Sequence, residues 1–281
     1  MIAVVLGFGV ALTYGTADFF GGLASSRGRA AIIVLWSQMV GLLGIALVAP
    51  VAGGRPVLRD MVAGGTAGIV GLSGLILFYR ALSGGRMAVV APTSAVAAAI
   101  VPVTAGLVGG EHLDTLGVLG MVVALVGVVL VSSGEGNAAG RVTTRSVGAD
   151  AGLALAAGVA FGVVFAILGS VGRDSGVWPV LAQRGVSVTV LAVVLLASRT
   201  LELPPPGTRT KACAAGLLDT SANALFVLAA RQGDLAVAGV LGSLYPVATV
   251  VLASRVLREH IRLVQVAGII LAVAGATLLA T

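Results

Sequence analysis

Apolar runs of about twenty residues follow one another along almost the whole chain, separated by only a few polar residues each. A helical run of that length crosses a hydrocarbon core of about 30 Å. Lipid offers no partner to backbone N–H and C=O groups, so the runs are expected to be helices. A transmembrane barrel would alternate apolar and polar residues in segments of about ten, and no such alternation is present. Composition agrees: 58% of the 281 residues are hydrophobic, 10% are charged, and the mean hydropathy is +1.10. Globular chains carry about 25% charge. The expected fold class is all-α integral membrane, with the lipid bilayer as its surroundings.

The first run continues from Ile2 to Ala24 with no basic stretch before it. It is longer than a signal-peptide core and reads as a retained helix. The single cysteine, Cys213, excludes an internal disulfide framework and a Cys-based metal site. The net charge of +6 sits on arginines scattered through short loops, a pattern that reports topology. No nucleic-acid partner and no cofactor is expected.

Ten transmembrane helices are predicted: Ile2–Ala24, Ala31–Ala52, Met61–Leu82, Met87–Val108, Thr115–Ser133, Asp150–Val171, Val177–Ala197, Lys211–Ala230, Leu235–Ser254 and Leu263–Ala280. Turn-forming residues mark the breaks, among them Ser83–Arg86, Gly109–Asp114, Gly172–Gly176 and Arg231–Asp234. Pro204–Pro206 stiffens the connection between the seventh and eighth helices. The longest polar stretch, Ser132–Ser146, divides the chain. The expected organisation is a first five-helix repeat (1–133), a linker (134–148) and a second repeat (149–281).

The halves repeat in sequence. Residues 67–131 align without a gap to 215–279, a shift of 148 (215 − 67). Matches include Gly68/Gly216, Phe78/Phe226, Ala81/Ala229, Gly85/Gly233, Glu111/Glu259, His112/His260, Gly120/Gly268 and Gly127/Gly275. Alanine and glycine matches are common in such composition, but a paired Glu-His at uninterrupted spacing is not. Five is an odd number of crossings, so a second copy enters the membrane from the opposite side. Two inverted five-helix repeats with a central site are the arrangement of many secondary transporters.

Several motifs then resemble a known family. They are the aromatic-Gly pairs Tyr14-Gly15 and Phe161-Gly162, and Gly110-Glu111 and Arg258-Glu259 before the last helix of each half. With them go Gly120…Gly127, Gly268…Gly275 and Leu244-Tyr245-Pro246-Val247. With five-plus-five helices these resemble EamA-type transporters of the drug/metabolite transporter superfamily. The resemblance implies efflux of amino acids, related metabolites or toxic compounds across the plasma membrane, through a central cavity between the halves. There are departures: Ala98 stands where Pro246 has its gapless partner, and Gln38 stands where Arg184 has its counterpart.

The candidate cavity residues are the polar groups inside apolar runs. An aspartate at a helix centre costs about 2.5–3.5 kcal/mol on insertion scales, so Asp18 is expected to face protein or water. Tyr14 lies one turn earlier on the same face. Arg184 and Gln183 in the seventh helix, and Asp219 and Asn223 in the eighth, supply a further polar cluster in which Arg184 and Asp219 form a plausible ion pair. That pair reads either as a static bridge between helices or as a proton- or substrate-responsive site. Ser243 and Tyr245 in the ninth helix, and Trp36, Gln38, Phe78, Thr93 and Ser94 from the first half, are further candidates for the lining. Pro92, Pro102 and Pro246 are expected kink positions.

The Gly-x6-Gly strips of the fifth and tenth helices predict close helix packing or a homodimer contact. Trp178 reads as an interfacial anchor. His112 and His260 lack a third ligand, so no metal is expected.

A channel would show a charge ring or filter motif, and a membrane-embedded enzyme would cluster acids, bases or arginines. Neither pattern is visible, so a secondary transporter of small molecules is the leading expectation and an uncoupled facilitator the alternative. An even number of spans puts both termini on one side. Arg27, Arg29, Arg80, Arg86, Arg141, Arg145, Arg199, Arg209, Lys211, Arg255, Arg258 and Arg262 share the termini's far-side loops under one alternation, against Arg55, Arg59, Arg173 and Arg231. That bias argues for external termini, whereas the resemblance implies cytoplasmic ones.

Overall fold

A computed structural model describes residues 2–82, 87–112, 114–132, 147–257 and 261–279. The expected break at Ser83–Arg86, most of the linker, and the Glu259-His260 pair lie outside the described residues. Among those described, the chain is helical throughout: α1 (Ile2–Ser25), α2 (Ala30–Val48), α3 (Leu58–Leu82), α4 (Met87–Val108), α5 (Thr115–Ser132), α6 (Val147–Gly169), α7 (Trp178–Ala197), α8 (Arg209–Gln232), α9 (Leu235–Gly242), α10 (Tyr245–Leu257) and α11 (Leu263–Leu278). A single 3-10 turn, Arg173–Ser175, joins α6 to α7.

Burial is inverted relative to a soluble bundle. The inward face of α1 is mostly small, with Gly7, Ala11, Gly15, Ala17, Gly21 and Ala24 buried, while Val5 and Leu12 are 69% and 61% exposed. Leu43, Leu47, Val193, Leu196 and Ile270 also point outward. Lipid tails are as apolar as leucine, so large side chains gain little by turning inward, and small residues let helices approach closely. Seven helical segments are long and apolar enough to cross a membrane, with α9 and α10 counted together as Leu235–Val256. Three further apolar helices are shorter: Thr93–Val108, Thr115–Val131 and Leu263–Leu278.

The helices pack mostly between the two halves of the chain. The most extensive pairs are α5 with α11, α1 with α8, α4 with α6, α3 with α6 and α3 with α7. Glycine permits the closest of these approaches. A methyl group at Gly15 would collide with the Tyr245 carbonyl, and one at Gly162 with the Ala98 carbonyl. The strips on α5 and α11 face one another: Gly127 meets Ala272 and Gly268, and Gly275 meets Ala124 and Gly120. These four glycines therefore pack against the facing helix within one chain.

The expected ninth helix is two helices. α9 ends at Gly242 and α10 begins at Tyr245. Proline has no N–H to give and its ring crowds the preceding turn, and the break falls immediately before Pro246. Ser243, fully buried, donates its hydroxyl to the Val240 carbonyl at that break (2.7 Å). In α4 the helix runs without interruption through Pro92 and Pro102, and Pro102 packs against Gly239 of α9. α6 starts at Val147, three residues before the expected Asp150.

Side chains tie the loops at each end. Glu111 accepts from the backbone N–H of Leu235 (2.7 Å) and of Ala236 (3.0 Å), capping α9 with a carboxylate at its positive end. At the same end, buried Asp60 accepts from the Ser175 hydroxyl and from Gly172 N–H (3.0 Å). Arg231 donates to the carbonyls of Gly172 (2.9 Å) and Gly176 (2.7 Å), and Arg55 N–H reaches the Asp174 carbonyl (2.8 Å). At the opposite end of α2, Arg29 donates to the Thr200 carbonyl (3.3 Å) and lies 3.6 Å from Glu202.

Candidate functional site

Seven helices converge on a cavity of about 70 Å³, room for a few water molecules. Its wall takes Tyr14 and Asp18 from α1, Gln38 from α2, and Gly71, Leu72 and Leu75 from α3. The second half contributes Phe161, Val164 and Phe165 from α6, Gln183, Arg184 and Ser187 from α7, Asp219 and Asn223 from α8, and Tyr245 from α10. The wall is thus apolar on the α3–α6 side and polar on the α1–α7–α8 side.

Arg184 organises the polar side. Its Nη1 donates to Gln38 Oε1 at 2.5 Å and lies 2.6 Å from Asp219 Oδ2. The arginine side chain is only 4% exposed, the aspartate 29%, so the guanidinium is the buried partner and the carboxylate borders the cavity. A charge this far from water requires a partner and hydrogen bonds, and Gln38 and Asp219 supply both. Around them, Gln183 Nε2 donates to Asn223 Oδ1 (3.3 Å), Asn223 Nδ2 to the Asp219 carbonyl (2.8 Å), and the Ser187 hydroxyl to the Gly68 carbonyl (2.9 Å).

Asp18 faces the same cavity and has no ion pair or hydrogen bond among the described residues. The two aspartates therefore stand in different environments: one is held by a guanidinium, the other is not. Tyr245 shares a hydrogen bond with the Ser94 hydroxyl across the halves (3.2 Å), in which either oxygen can donate. The Tyr14 ring lies 5.8 Å from that of Phe165, which stacks on Phe226 at 4.5 Å. Tyr14 and Phe165 of this row also line the cavity.

Of the residues singled out by sequence, Tyr14, Asp18, Gln38, Gln183, Arg184, Asp219, Asn223 and Tyr245 meet at the cavity, and Ser94 lies one hydrogen bond behind it. Four do not line it. Ser243 is consumed by the helix break. Phe78 is buried edge-on to Phe161 (5.8 Å) and supports the wall from behind. Trp36 is half-buried between the cluster around Leu35 and that around Ile33. Thr93, half-buried and next to Ser94 in α4, is not part of the wall. Pro92 falls in α4, and its side chain is outside the described residues. Trp178 is half-buried against the cluster around Val164, Phe165 and Leu168. His112 is exposed, and no group of metal-ligating side chains occurs among the described residues.

The apolar wall was missed by sequence. Phe161, Val164, Phe165, Leu72 and Leu75 look like any other apolar residue in a membrane helix. Only the aromatic-Gly pair carried a signal, since Phe161 precedes the glycine that lets α6 approach α4.

The structure is thus a bundle of apolar, membrane-length helices with polar and ionisable side chains around an internal cavity. The family match is specific: the model of the EamA-like transporter family covers residues 1–133 and 151–281, and the chain belongs to that family, part of the drug/metabolite transporter superfamily. A solved structure described only as "Crystal structure of protein" superposes with a TM-score of 0.76 at 19% identity, covering 99% of this chain and 98% of that one. That likeness establishes a shared fold. No curated protein matches the chain.

Proposed function

We propose that the chain is a secondary transporter that exports a small organic solute across the plasma membrane by alternating access. In this reading residues 1–133 and 149–281 are inverted five-helix repeats joined by a linker (134–148), and the cavity between them is the solute site. The observation that carries the reading is the cavity itself: both halves wall it, and it holds the unpaired Asp18 beside the Arg184–Asp219 pair.

The packing supports the repeat. Exchanging the halves maps α1 on α8 to α6 on α3, and α2 on α8 to α7 on α3, and both members of each pairing are present. The loop contacts exchange in the same way. The loop after α2 meets that after α6 at one end, and the loop after α7 meets that after α1 at the other. Such symmetry allows the two halves to swap conformations and expose a central site to either side.

Asp18 is the proposed coupling group. Asp219 is held by Arg184 at 2.6 Å. Asp18 has no such partner, so it is the carboxylate better suited to trade a proton against solute. The test is solute flux in proteoliposomes under an imposed pH gradient, with amino acids, metabolites and cationic drugs offered in turn. At least one solute should move faster with the gradient than without it, and Asp18→Asn should erase that difference. Flux of no solute above protein-free vesicles would contradict transport. Gradient-driven flux undiminished in Asp18→Asn would contradict the coupling role alone.

A further inference from the structure

A second pocket, of about 390 Å³, lies at the end of the bundle where α6 and α8 finish. That size falls in the range of small-ligand sites, about 300–1,000 Å³. Its wall comes from the end of α6 and the turn after it, with Gly169 and Arg173, and from the end of α8, with Arg231 and Gln232. Among the described residues two arginines and no acid line it. Both guanidiniums are held by backbone carbonyls. Arg231 Nη2 donates to Gly172 (2.9 Å) and Gly176 (2.7 Å), and Arg173 Nη2 donates to the carbonyl of Arg231 itself (2.9 Å). Carbonyls fix direction but carry no net charge, so both positive charges stay uncompensated by them.

Neither arginine has an ion pair among the described residues. The acids nearby are engaged elsewhere. Asp60 is near enough to attract Arg231, as Arg173 is to repel it, but the Asp60 carboxylate accepts from Ser175 and from Gly172 N–H. Asp174 pairs with Arg55 at 3.7 Å, and Asp234 is exposed and outside the wall. Arg231 Nε is buried with no hydrogen-bond partner among the described residues. Two like charges held side by side repel, and unmet polar groups of this kind point to an ion that satisfies them.

We infer that Arg173 and Arg231 bind a phosphate monoester group in this pocket, apart from the solute cavity and whatever that cavity carries. A monoester brings about −1.5 to −2 charge and three acceptor oxygens, enough to balance two cations and to reach both. A carboxylate brings one charge and two oxygens in one plane, which a single guanidinium fork already satisfies. The pocket sits where membrane-length helices end, the level of the bilayer's own phosphates. Gly233 at its edge packs on Ala3, beside which Ile2 and Val5 of α1 point outward as an apolar surface for acyl chains. A lipid headgroup and a free phosphate would meet the same two arginines, and the test separates them.

The full chain, purified in detergent at fixed ionic strength, is offered inorganic phosphate and glycerol 3-phosphate as soluble probes. Dioctanoyl phosphatidic acid is the lipid probe and dioctanoylglycerol its phosphate-free control. Binding is read as an equilibrium dissociation constant and as thermal stabilisation. At least one phosphate-bearing probe should bind, with dioctanoylglycerol weaker by about tenfold or more. Arg173 is exposed and donates a single bond, so Arg173→Gln is the variant of choice and should weaken the probe by about tenfold or more. Arg27→Gln removes the same charge at the opposite end of the bundle and should leave binding unchanged. Preference for phosphatidic acid over the soluble probes assigns the phosphate to a lipid, and the reverse preference to a free anion. Binding of no phosphate-bearing probe would overturn the inference, as would dioctanoylglycerol binding equally well. Equal losses in Arg173→Gln and Arg27→Gln, or no loss in Arg173→Gln, would overturn it too. If Arg173→Gln fails to fold, the comparison of phosphatidic acid and soluble phosphates with dioctanoylglycerol on the unaltered protein decides, with Arg173→Lys expected to keep only part of the affinity.

Discussion

Two aspartates facing one cavity are predicted to respond oppositely to neutralisation. Asp219 compensates a buried guanidinium, so Asp219→Asn leaves Arg184 with one neutral partner. Removing one member of a fully buried pair costs about 3–5 kcal/mol. With 29% of the Asp219 side chain exposed, the expected loss is smaller, about 1–3 kcal/mol. Asp18 has no partner to lose, and replacing it with asparagine removes a carboxyl that has no counter-ion. Thermal unfolding in detergent should therefore show a lower midpoint for Asp219→Asn and an unchanged or higher one for Asp18→Asn. The reverse order would mean that Asp18, not Asp219, carries the structural load. This contrast was half legible in the sequence. A charge inside an apolar run stands out because its burial is costly, and that cost is why Asp18, Arg184 and Asp219 were found. The pairing of Arg184 with Asp219 was also expected and is present at 2.6 Å; that Gln38 shares the same nitrogen depends on the packing of α2, α7 and α8, which no local pattern encodes. Phe161, Phe165 and Leu75 had no such signal, since an apolar residue costs the same facing lipid or cavity.

At the scale of helices, sequence punctuation did well where the cause was local. Pro246 was expected to disturb its helix, and α9 gives way to α10 immediately before it. Ser243 was expected at the lining because it lies beside the bend at Pro246. Once the helix breaks, the hydroxyl turns to the Val240 carbonyl. The Glu-His pair repeated at a shift of 148 was read as a shared loop feature. In the first half its glutamate acts as a cap, because the Glu111 carboxylate holds two free N–H groups at the start of α9 across separations of 124 and 125 residues. Replacing it by alanine should cost about 1–2 kcal/mol, seen as a fall of a few degrees in the unfolding midpoint, with Glu111→Asp recovering only part. An unchanged midpoint would show that solvent satisfies those groups equally well.

At the scale of the molecule, the repeat was readable because it depends on spacing, and the contacts between halves were not, because they join residues more than a hundred positions apart. The side-chain cluster at one end is of this kind: Asp60 comes from the first turn of α3, Gly172 and Ser175 from between α6 and α7, and Arg231 from the last turn of α8. Arg55 and Asp174 lie at its rim, joined by a backbone hydrogen bond of 2.8 Å and an exposed ion pair of 3.7 Å. If the halves exchange conformations, this end must open for the cavity to reach the solution beyond it. The central claim is tested by the side from which the cavity can be reached. On a Cys213→Ser background, Leu75→Cys reports the cavity, and Arg55→Cys with Asp174→Cys can be oxidised to lock this end. In oriented proteoliposomes, a membrane-impermeant thiol reagent should reach Leu75→Cys from either side before oxidation, and only from the opposite side once the lock is closed. Labelling from a single side in both conditions, or from both sides despite the lock, would contradict a site that alternates between them.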